Sequence, residues 1–349
     1  MPSAWAWHRR RPVAAGHFAP ARVRDVRDVA ADVRMIEIEP RAGARPYPTG
    51  AHLDIAVRVD DLPDIRSYSL VGERPVDGAY RIAVKAVEES RGGSLFVRAL
   101  ERDSDVEVSE PRSHFELQYG RPEYLLVAGG IGITPLYGMA HALERHGRPF
   151  RLLYAARTPE QMPFVGELEE LLGDRLEQFV SSEGNRLDLE AEIERLHPEG
   201  ELYLCGPLRL RDAAQHAWKA AQRRPDRLQF ETFASGGRFA PEAFTVRVVD
   251  HDGEIDVRQN RTLLDALKDE GVEMMWDCLR GECGLCAAKV LAVEGELDHR
   301  DVFLSEEQQH EGDTIITCVS RAVGGAITLD TGFRPEQAGE GAVQRVETR

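Results

Sequence analysis

The segment Cys278-Leu279-Arg280-Gly281-Glu282-Cys283-Gly284-Leu285-Cys286, completed by a distant Cys318, constrains this chain more than any other stretch. Thiols at x4 and x2 spacing with a remote fourth follow the ligation pattern of plant-type [2Fe–2S] clusters, in which a loop and a neighbouring strand hold two irons. Gly281, Gly284 and Ala287 are small enough for a backbone that curls around inorganic sulfide and offers it N–H groups. A structural zinc site or disulfides would draw on the same atoms, but zinc usually takes cysteines as paired C-x2-C knuckles, and this chain has a single one. The expected metal ligands are therefore Cys278, Cys283, Cys286 and Cys318. Only Cys205 is left over, so a disulfide framework is not expected and a reducing cytoplasm is.

With 349 residues the chain is long enough for two or three domains, and the pattern predicts three. A net charge of −16 excludes nucleic acid as an expected partner, since phosphate binding needs a basic face, and disfavours an acidic partner equally. The charge is uneven: residues 244–333 carry 8 Lys/Arg against 19 Asp/Glu, so a basic partner is expected there. No apolar run reaches the length of a membrane span, and no membrane association is expected. Trp5, Trp7 and the run His8-Arg9-Arg10-Arg11-Pro12 lack a following apolar core, so residues 1–17 read as a flexible extension and not a signal peptide.

Residues 18–118 read as short alternating strands, among them Arg34–Glu39, His52–Val57 and Arg81–Val87, punctuated by Pro46, Pro48 and Gly50. Such spacing predicts an antiparallel β-barrel. In the strand Arg66-Ser67-Tyr68-Ser69, alternate side chains share a face, which sets a guanidinium for a phosphate beside a ring that can stack on a heterocycle. Ser90-Arg91-Gly92-Gly93-Ser94 is a glycine turn entering a helix expected over 95–100, where backbone N–H groups can meet a phosphate. Each segment alone is most often just strand or turn.

Residues 119–233 alternate strand and helix, the pattern of a doubly wound parallel α/β sheet. The apolar run Tyr124–Ala128 leads straight into Gly129-Gly130-Ile131-Gly132-Ile133-Thr134-Pro135, and a helix is expected over 136–146. Pro135 stands where a dinucleotide fingerprint has its last glycine, so the bare motif is weak. Three glycines at a strand-to-helix junction nonetheless let the backbone approach a pyrophosphate. Further strands are expected over 150–156 and 202–205, with a helix over 164–172 between them. The strand over 202–205 ends in Cys205-Gly206-Pro207, at the carboxyl edge where ligands of such folds bind.

Taken together, Arg66-Ser67-Tyr68-Ser69, Val84-Lys85, Arg91-Gly92-Gly93-Ser94 and Glu110-Pro111-Arg112-Ser113-His114-Phe115 resemble the flavin domain of the ferredoxin-NADP reductase superfamily. The branch it is most similar to is the phthalate dioxygenase reductase family, which orders its modules flavin, nicotinamide, ferredoxin and carries the same Gly-Gly-Ile-Gly-Ile-Thr-Pro. The resemblance implies FMN rather than FAD, met by Arg66, Ser67, Tyr68 and Ser69, edged by Val84, Lys85 and Ala86, and held at its phosphate by Gly92, Gly93 and Ser94. It implies that Gly129, Gly130, Ile131, Gly132 and Pro135 lie under the dinucleotide and that Thr134 lies close to the flavin. Cys205, with Gly206 and Pro207, would shape the pocket beside the hydride-donating carbon, which makes Thr134 and Cys205 the catalytic candidates. Phe233 would stack on the flavin, although a plain core phenylalanine reads the same. Arg157-Thr158 stands where the ribose 2′ position is read. An arginine there suits a 2′-phosphate, but related NADH-dependent reductases carry the same pair, so NADH is expected over NADPH.

Ala234-Ser235-Gly236-Gly237 opens a linker over 234–243. In residues 244–333 a hairpin over 244–257, a helix over 262–268 and the cysteine loop follow the order of a plant-type β-grasp ferredoxin, and residues 334–349 read as a tail. The whole therefore resembles a monomeric reductase that moves electrons from NADH through FMN and a [2Fe–2S] cluster, one at a time, to a terminal Rieske non-haem iron oxygenase, docked electrostatically on the acidic ferredoxin face. That oxygenase would hydroxylate an aromatic ring or remove an O- or N-linked methyl group. A haem-thiolate monooxygenase as acceptor, or a flavin or ferric reductase, are the alternative readings.

Overall fold

A computed structural model describes residues 18–59, 62–86, 93–233, 239, 242–259 and 261–332. The chain falls into two compact units, Met1–Phe233 and Ala234–Arg349.

The first unit begins with β1 (Ala19–Ala30), β2 (Val33–Pro40), β3 (His52–Val59), β4 (Leu62–Ser69), β5 (Tyr80–Lys85), the short helix α1 (Gly93–Arg98) and β6 (Asp105–Val108). They form one antiparallel sheet in the order β4-β3-β6-β1-β2-β5. Its two edges meet, because Leu70, just past β4, bridges Ile82 of β5 and Val71 N–H donates to the Arg81 carbonyl at 2.8 Å. The sheet thus closes on itself and leaves no free edge at that seam. Val23, Ile36, Ile38, Leu53, Ile55, Leu70, Ile82 and Val84 fill its interior. The expected alternation holds in β4: Ser67 faces Asp54 and Ser69 faces His52 across the ladder, while Arg66 and Tyr68 take the other face.

The same unit continues with β7 (Tyr124–Gly129), α2 (Ile133–Arg145), β8 (Phe150–Ala156), α3 (Val165–Leu172), β9 (Leu176–Val180), α4 (Leu189–Arg195), β10 (Glu201–Cys205), α5 (Leu208–Ala220) and β11 (Leu228–Glu231). The sheet is fully parallel in the order β11-β10-β7-β8-β9. In β7, Leu126 and Ala128 belong to the core on one face and Leu125 and Val127 to the core on the other, the signature of a strand covered by helices on both sides. The helix after the glycine turn begins at Ile133, earlier than the residue patterning placed it. Pro135 falls within its first turn, where the missing N–H costs no helical hydrogen bond.

The second unit holds β12 (Phe244–Val248), β13 (Ile255–Val257), α6 (Leu263–Asp269), β14 (Ala287–Val293), β15 (Glu296–Asp298), α7 (Glu306–Glu311), β16 (Thr314–Ile316), β17 (Arg321–Val323) and β18 (Ala326–Asp330). Its main sheet runs β13-β12-β18-β14-β16, mixing a parallel β12–β18 pair with antiparallel neighbours. Thr262 caps α6 by accepting the Asp265 N–H on its hydroxyl at 3.0 Å. That helix packs Leu263, Ala266 and Leu267 into a core with Val246, Val257, Ala288 and Leu329. The cysteine loop spans the stretch between α6 and β14.

Candidate functional site

In the first unit, two loops at the carboxyl edge of the parallel sheet are pressed together. A Cβ built on Gly132 would lie 2.0 Å from the Cys205 carbonyl oxygen, and one on Gly129 would lie 2.7 Å from Pro207 Cδ and 3.2 Å from Gly206 Cα. Only glycine permits that approach. Gly130 has φ +56°, which turns the backbone at the end of β7. Thr134 is buried and its hydroxyl donates to the Ile131 carbonyl at 3.0 Å, fastening the turn to the helix. Cys205 is completely buried at the tip of β10. Arg157 is exposed beyond β8, where its carbonyl accepts the Ser182 N–H at 3.0 Å, and Thr158 precedes a single turn at Pro159–Gln161.

The barrel contributes residues to the same edge. Lys85 Nζ reaches within 4.0 Å of a Cβ built on Gly130 and pairs with Asp32 at 3.4 Å. Ala86 N–H donates to the Asp32 carbonyl at 2.7 Å. Val84 points into the barrel core, and its carbonyl accepts Arg98 Nη1 at 3.0 Å. Arg66 crosses the start of α1: a Cβ on Gly93 would lie 2.2 Å from Arg66 Nε, so this glycine makes room for the guanidinium, with Ser94 beside it in the first turn. Burial pushes the Tyr68 phenol up to about 12. On the opposite face of β4, Ser67 donates to Asp54 at 2.5 Å and Arg112 closes the other carboxylate oxygen at 2.8 Å. Ser69 donates to Glu231 at 3.1 Å, which ties the barrel to the last strand of the parallel sheet. Phe233, two residues on, is 43% exposed, unlike an ordinary core phenylalanine. Gly92, together with Ser90 and Arg91, lies outside the described residues.

The structure thus gathers Gly129, Gly130, Gly132, Cys205, Gly206, Pro207 and Lys85 at one place, and Arg66 with Gly93 at another. Residue patterning missed Glu231, whose acid gives no sign in the sequence that it is 1% exposed and bonded to Ser69. It also missed Asp54, which accepts the Ser67 hydroxyl and is closed by Arg112 of the Glu110–Phe115 segment.

In the second unit, Leu279 at φ +55°, Gly281 at +74° and Gly284 at +73° coil the loop. The Arg280 and Glu282 N–H groups both donate to Cys278 Sγ at 3.4 Å. Thr317 donates its N–H and its hydroxyl to the Cys286 carbonyl, at 3.1 and 2.9 Å, and so fixes Cys286 against the neighbouring Cys318. Cys278, Cys286 and Cys318 are buried, Cys283 is half-buried, and none forms a disulfide. The sulfurs interact as pairs, Cys278 with Cys283 and Cys286 with Cys318. Among the described residues no three His, Cys, Asp or Glu converge on a point that suits one metal ion. Burial pushes the Cys278 thiol up, while a hydrogen bond from Cys318 pulls Cys286 down to about 7 and leaves the proton of that pair on Cys318. Buried sulfurs that cannot all ionise together call for strong cationic compensation, and four such sulfurs, with two N–H donors on Cys278, fit a binuclear iron–sulfur group.

Residues 246–323 match the 2Fe-2S iron-sulfur cluster binding domain and residues 126–216 the oxidoreductase NAD-binding domain. The chain is 37% identical over 327 residues to the phenoxybenzoate dioxygenase subunit beta of Ectopseudomonas oleovorans, covering 91% of this chain and 99% of that one. Among solved structures, phthalate dioxygenase reductase, described as a modular structure for electron transfer from pyridine nucleotides to [2Fe-2S], superposes with a TM-score of 0.76 at 31% identity, over 90% of this chain and 98% of that one. The chain belongs to the phthalate dioxygenase reductase family. It is an oxidoreductase built from a flavin barrel, a nicotinamide α/β domain and a ferredoxin domain. Full-length CYP116B46 from Tepidiphilus thermophilus also matches, with a TM-score of 0.64 at 31% identity; the match covers 92% of this chain and 43% of that longer one. Among the described residues no helix is long and apolar enough to cross a membrane.

Proposed function

We propose that this chain is the reductase component of a Rieske non-haem iron oxygenase system, taking hydride from NADH and delivering electrons singly to the oxygenase. When bound, FMN supplies the exchange between paired and single electrons, and the [2Fe–2S] cluster supplies a one-electron outlet. The observation that carries the reading is the junction of Gly132 with Cys205 under the reach of Lys85, which joins a dinucleotide-type turn to the barrel strand ends.

The chain's own groups have distinct tasks. Arg66, with Gly93 and Ser94 beside it, offers a cation and a helix start to the FMN phosphate. Tyr68 stays neutral at working pH and presents a ring, and the half-exposed Phe233 provides a second aromatic surface. Ser69, anchored by Glu231, keeps a hydroxyl fixed at the seam between the two sheets. The close packing of Gly129 and Gly132 on Gly206 and Cys205 opens backbone N–H groups to a pyrophosphate and excludes bulk from the hydride-transfer corner. Thr134 braces that corner through Ile131. Arg157 and Thr158 lie at the ribose end of the dinucleotide. Cys278, Cys283, Cys286 and Cys318 would hold the cluster. The partner is the oxygenase component, docked on the acidic ferredoxin domain, and the chain acts as a cytoplasmic monomer.

An anaerobic titration with NADH, followed by visible absorbance and electron paramagnetic resonance, tests the whole sequence. Bleaching of the flavin together with a one-electron cluster signal is the expected outcome. A reduced flavin beside a silent cluster would leave only a flavin reductase.

A further inference from the structure

Behind the cysteine loop the second unit buries a polar knot centred on Asp301, whose side chain has no solvent exposure. One carboxylate oxygen accepts the Leu304 N–H at 2.9 Å. The other accepts the Ser320 hydroxyl at 2.9 Å, and Ser320 Oγ in turn accepts the Arg300 N–H at 3.0 Å. The backbone of this segment abuts the loop. A Cβ on Gly281 would lie 2.9 Å from Asp301 Cα, and the Val302 N–H donates to the Gly281 carbonyl at 3.0 Å. The Asp301–Val302 segment therefore joins the two sides of the site, its backbone bonded to the stretch between Cys278 and Cys283 and its carboxylate to Ser320, two places beyond Cys318.

Among the described residues no guanidinium pairs with the Asp301 carboxylate. Arg300 turns instead to Asp298, at 2.7 Å from Nε, and to the Phe239 carbonyl at 3.0 Å. Among the described residues the ion-pair contact to Asp301 is His299 Nδ1 at 3.7 Å, from a ring that is itself buried. Burial pushes the Asp301 carboxyl up, yet the His299 ring 3.7 Å away and the hydrogen bonds from Leu304 and Ser320 outweigh it and hold the group below the ordinary carboxylate value.

We propose that Asp301 is a positioning residue that sets the reduction potential of the cluster, a fixed negative charge behind the Gly281 turn that opposes the incoming electron, tempered by the Ser320 hydroxyl. The inference rests on the four cysteines holding a [2Fe–2S] group. One electron added to that group adds one negative charge, and a buried carboxylate on the segment packed against Gly281 raises the energy of the reduced state because low-dielectric surroundings screen it little. A low potential makes the cluster a ready donor to whatever follows it.

The test is a mediator-equilibrated redox titration of the full-length holoprotein, read by the paramagnetic resonance of the reduced cluster. Asp301→Asn removes the charge and keeps the shape, so its midpoint moves to more positive potential and the reduced-to-oxidised ratio at a fixed poise rises several-fold. Ser320→Ala keeps the charge and removes a donor that disperses it, so its midpoint moves the opposite way, and Asp301→Glu stays close to the parent. A merely structural role would change how much cluster is retained and leave the potential of the retained fraction in place. Equal midpoints in all four proteins, or a negative shift in Asp301→Asn, overturn the proposal. If Asp301→Asn holds no iron, Ser320→Ala decides alone: a negative shift supports the proposal, and an unmoved or positive one overturns it. If the parent protein itself gives no one-electron signal, it is the cluster assignment that has failed.

Discussion

Tyr68 shows how one side chain carries both a task and a cost. Its phenol is pushed up to about 12 by burial, whereas an unfolded tyrosine ionises near its ordinary value of 10. Between those values the native chain holds a proton that the unfolded chain has released, so stability falls as pH rises above 10 and the loss from this group levels off near 12. The slope is at most about 1.4 kcal/mol per pH unit for one such group. Tyr154, buried in the parallel sheet and also raised by burial, adds to the same alkaline weakness. Urea unfolding at pH 9, 10 and 11 should show a midpoint that drops with pH, and Tyr68→Phe should drop less. Identical slopes in the two proteins would mean that this phenol is not shielded from water.

Among the elements, the turn after β7 and the corner after β10 depend on each other. Gly132 has φ −61°, which any residue adopts, so alanine there meets no conformational penalty and only the Cys205 carbonyl 2.0 Å away. Overpacking of that kind costs about 1–3 kcal/mol. Gly132→Ala should therefore lower the thermal midpoint and weaken NADH binding, because the two loops must separate. Gly130→Ala has open space up to Lys85 and pays only for its positive φ, about 1 kcal/mol. Thermal unfolding of the two variants ranks them, and a Gly132→Ala protein as stable as Gly130→Ala would show that the corner yields. The position of the turn was legible in the residues, since three glycines between an apolar run and a helix mark a strand-to-helix junction, though the bare motif said little of what it binds. The strand β9, Leu176-Glu177-Gln178-Phe179-Val180, was not: it lies at the sheet edge, half-buried, and its polar residues carry no continuous apolar signal. Asp301 was hidden for a related reason. An acid between arginine and valine looks like a solvated face, and only the fold shows that the segment passes beneath Gly281.

At the scale of the whole molecule, the proposed role asks the chain to meet its partner quickly and to release it. Residues 244–333 hold 8 Lys/Arg against 19 Asp/Glu, whereas the whole chain holds 44 against 60, so most of the negative excess sits in the part that carries the cysteines. Surface charge of one sign accelerates encounter with an oppositely charged partner over distances of about a Debye length, roughly 8 Å at physiological salt, and salt removes that acceleration. Electron transfer inside the formed complex depends on contact geometry and not on the ionic atmosphere. The two contributions separate in one measurement, stopped-flow oxidation of the reduced protein by the proposed oxygenase partner at increasing partner concentration and several ionic strengths. The second-order rate constant should fall as salt rises, while the limiting rate at saturation stays level. A second-order constant indifferent to salt would mean that the acidic excess serves solubility alone and that recognition rests on uncharged contacts. A limiting rate that falls along with it would mean that ion pairs also hold the productive geometry, in which case neutralising single acids around the cysteine loop should slow transfer even in a saturated complex.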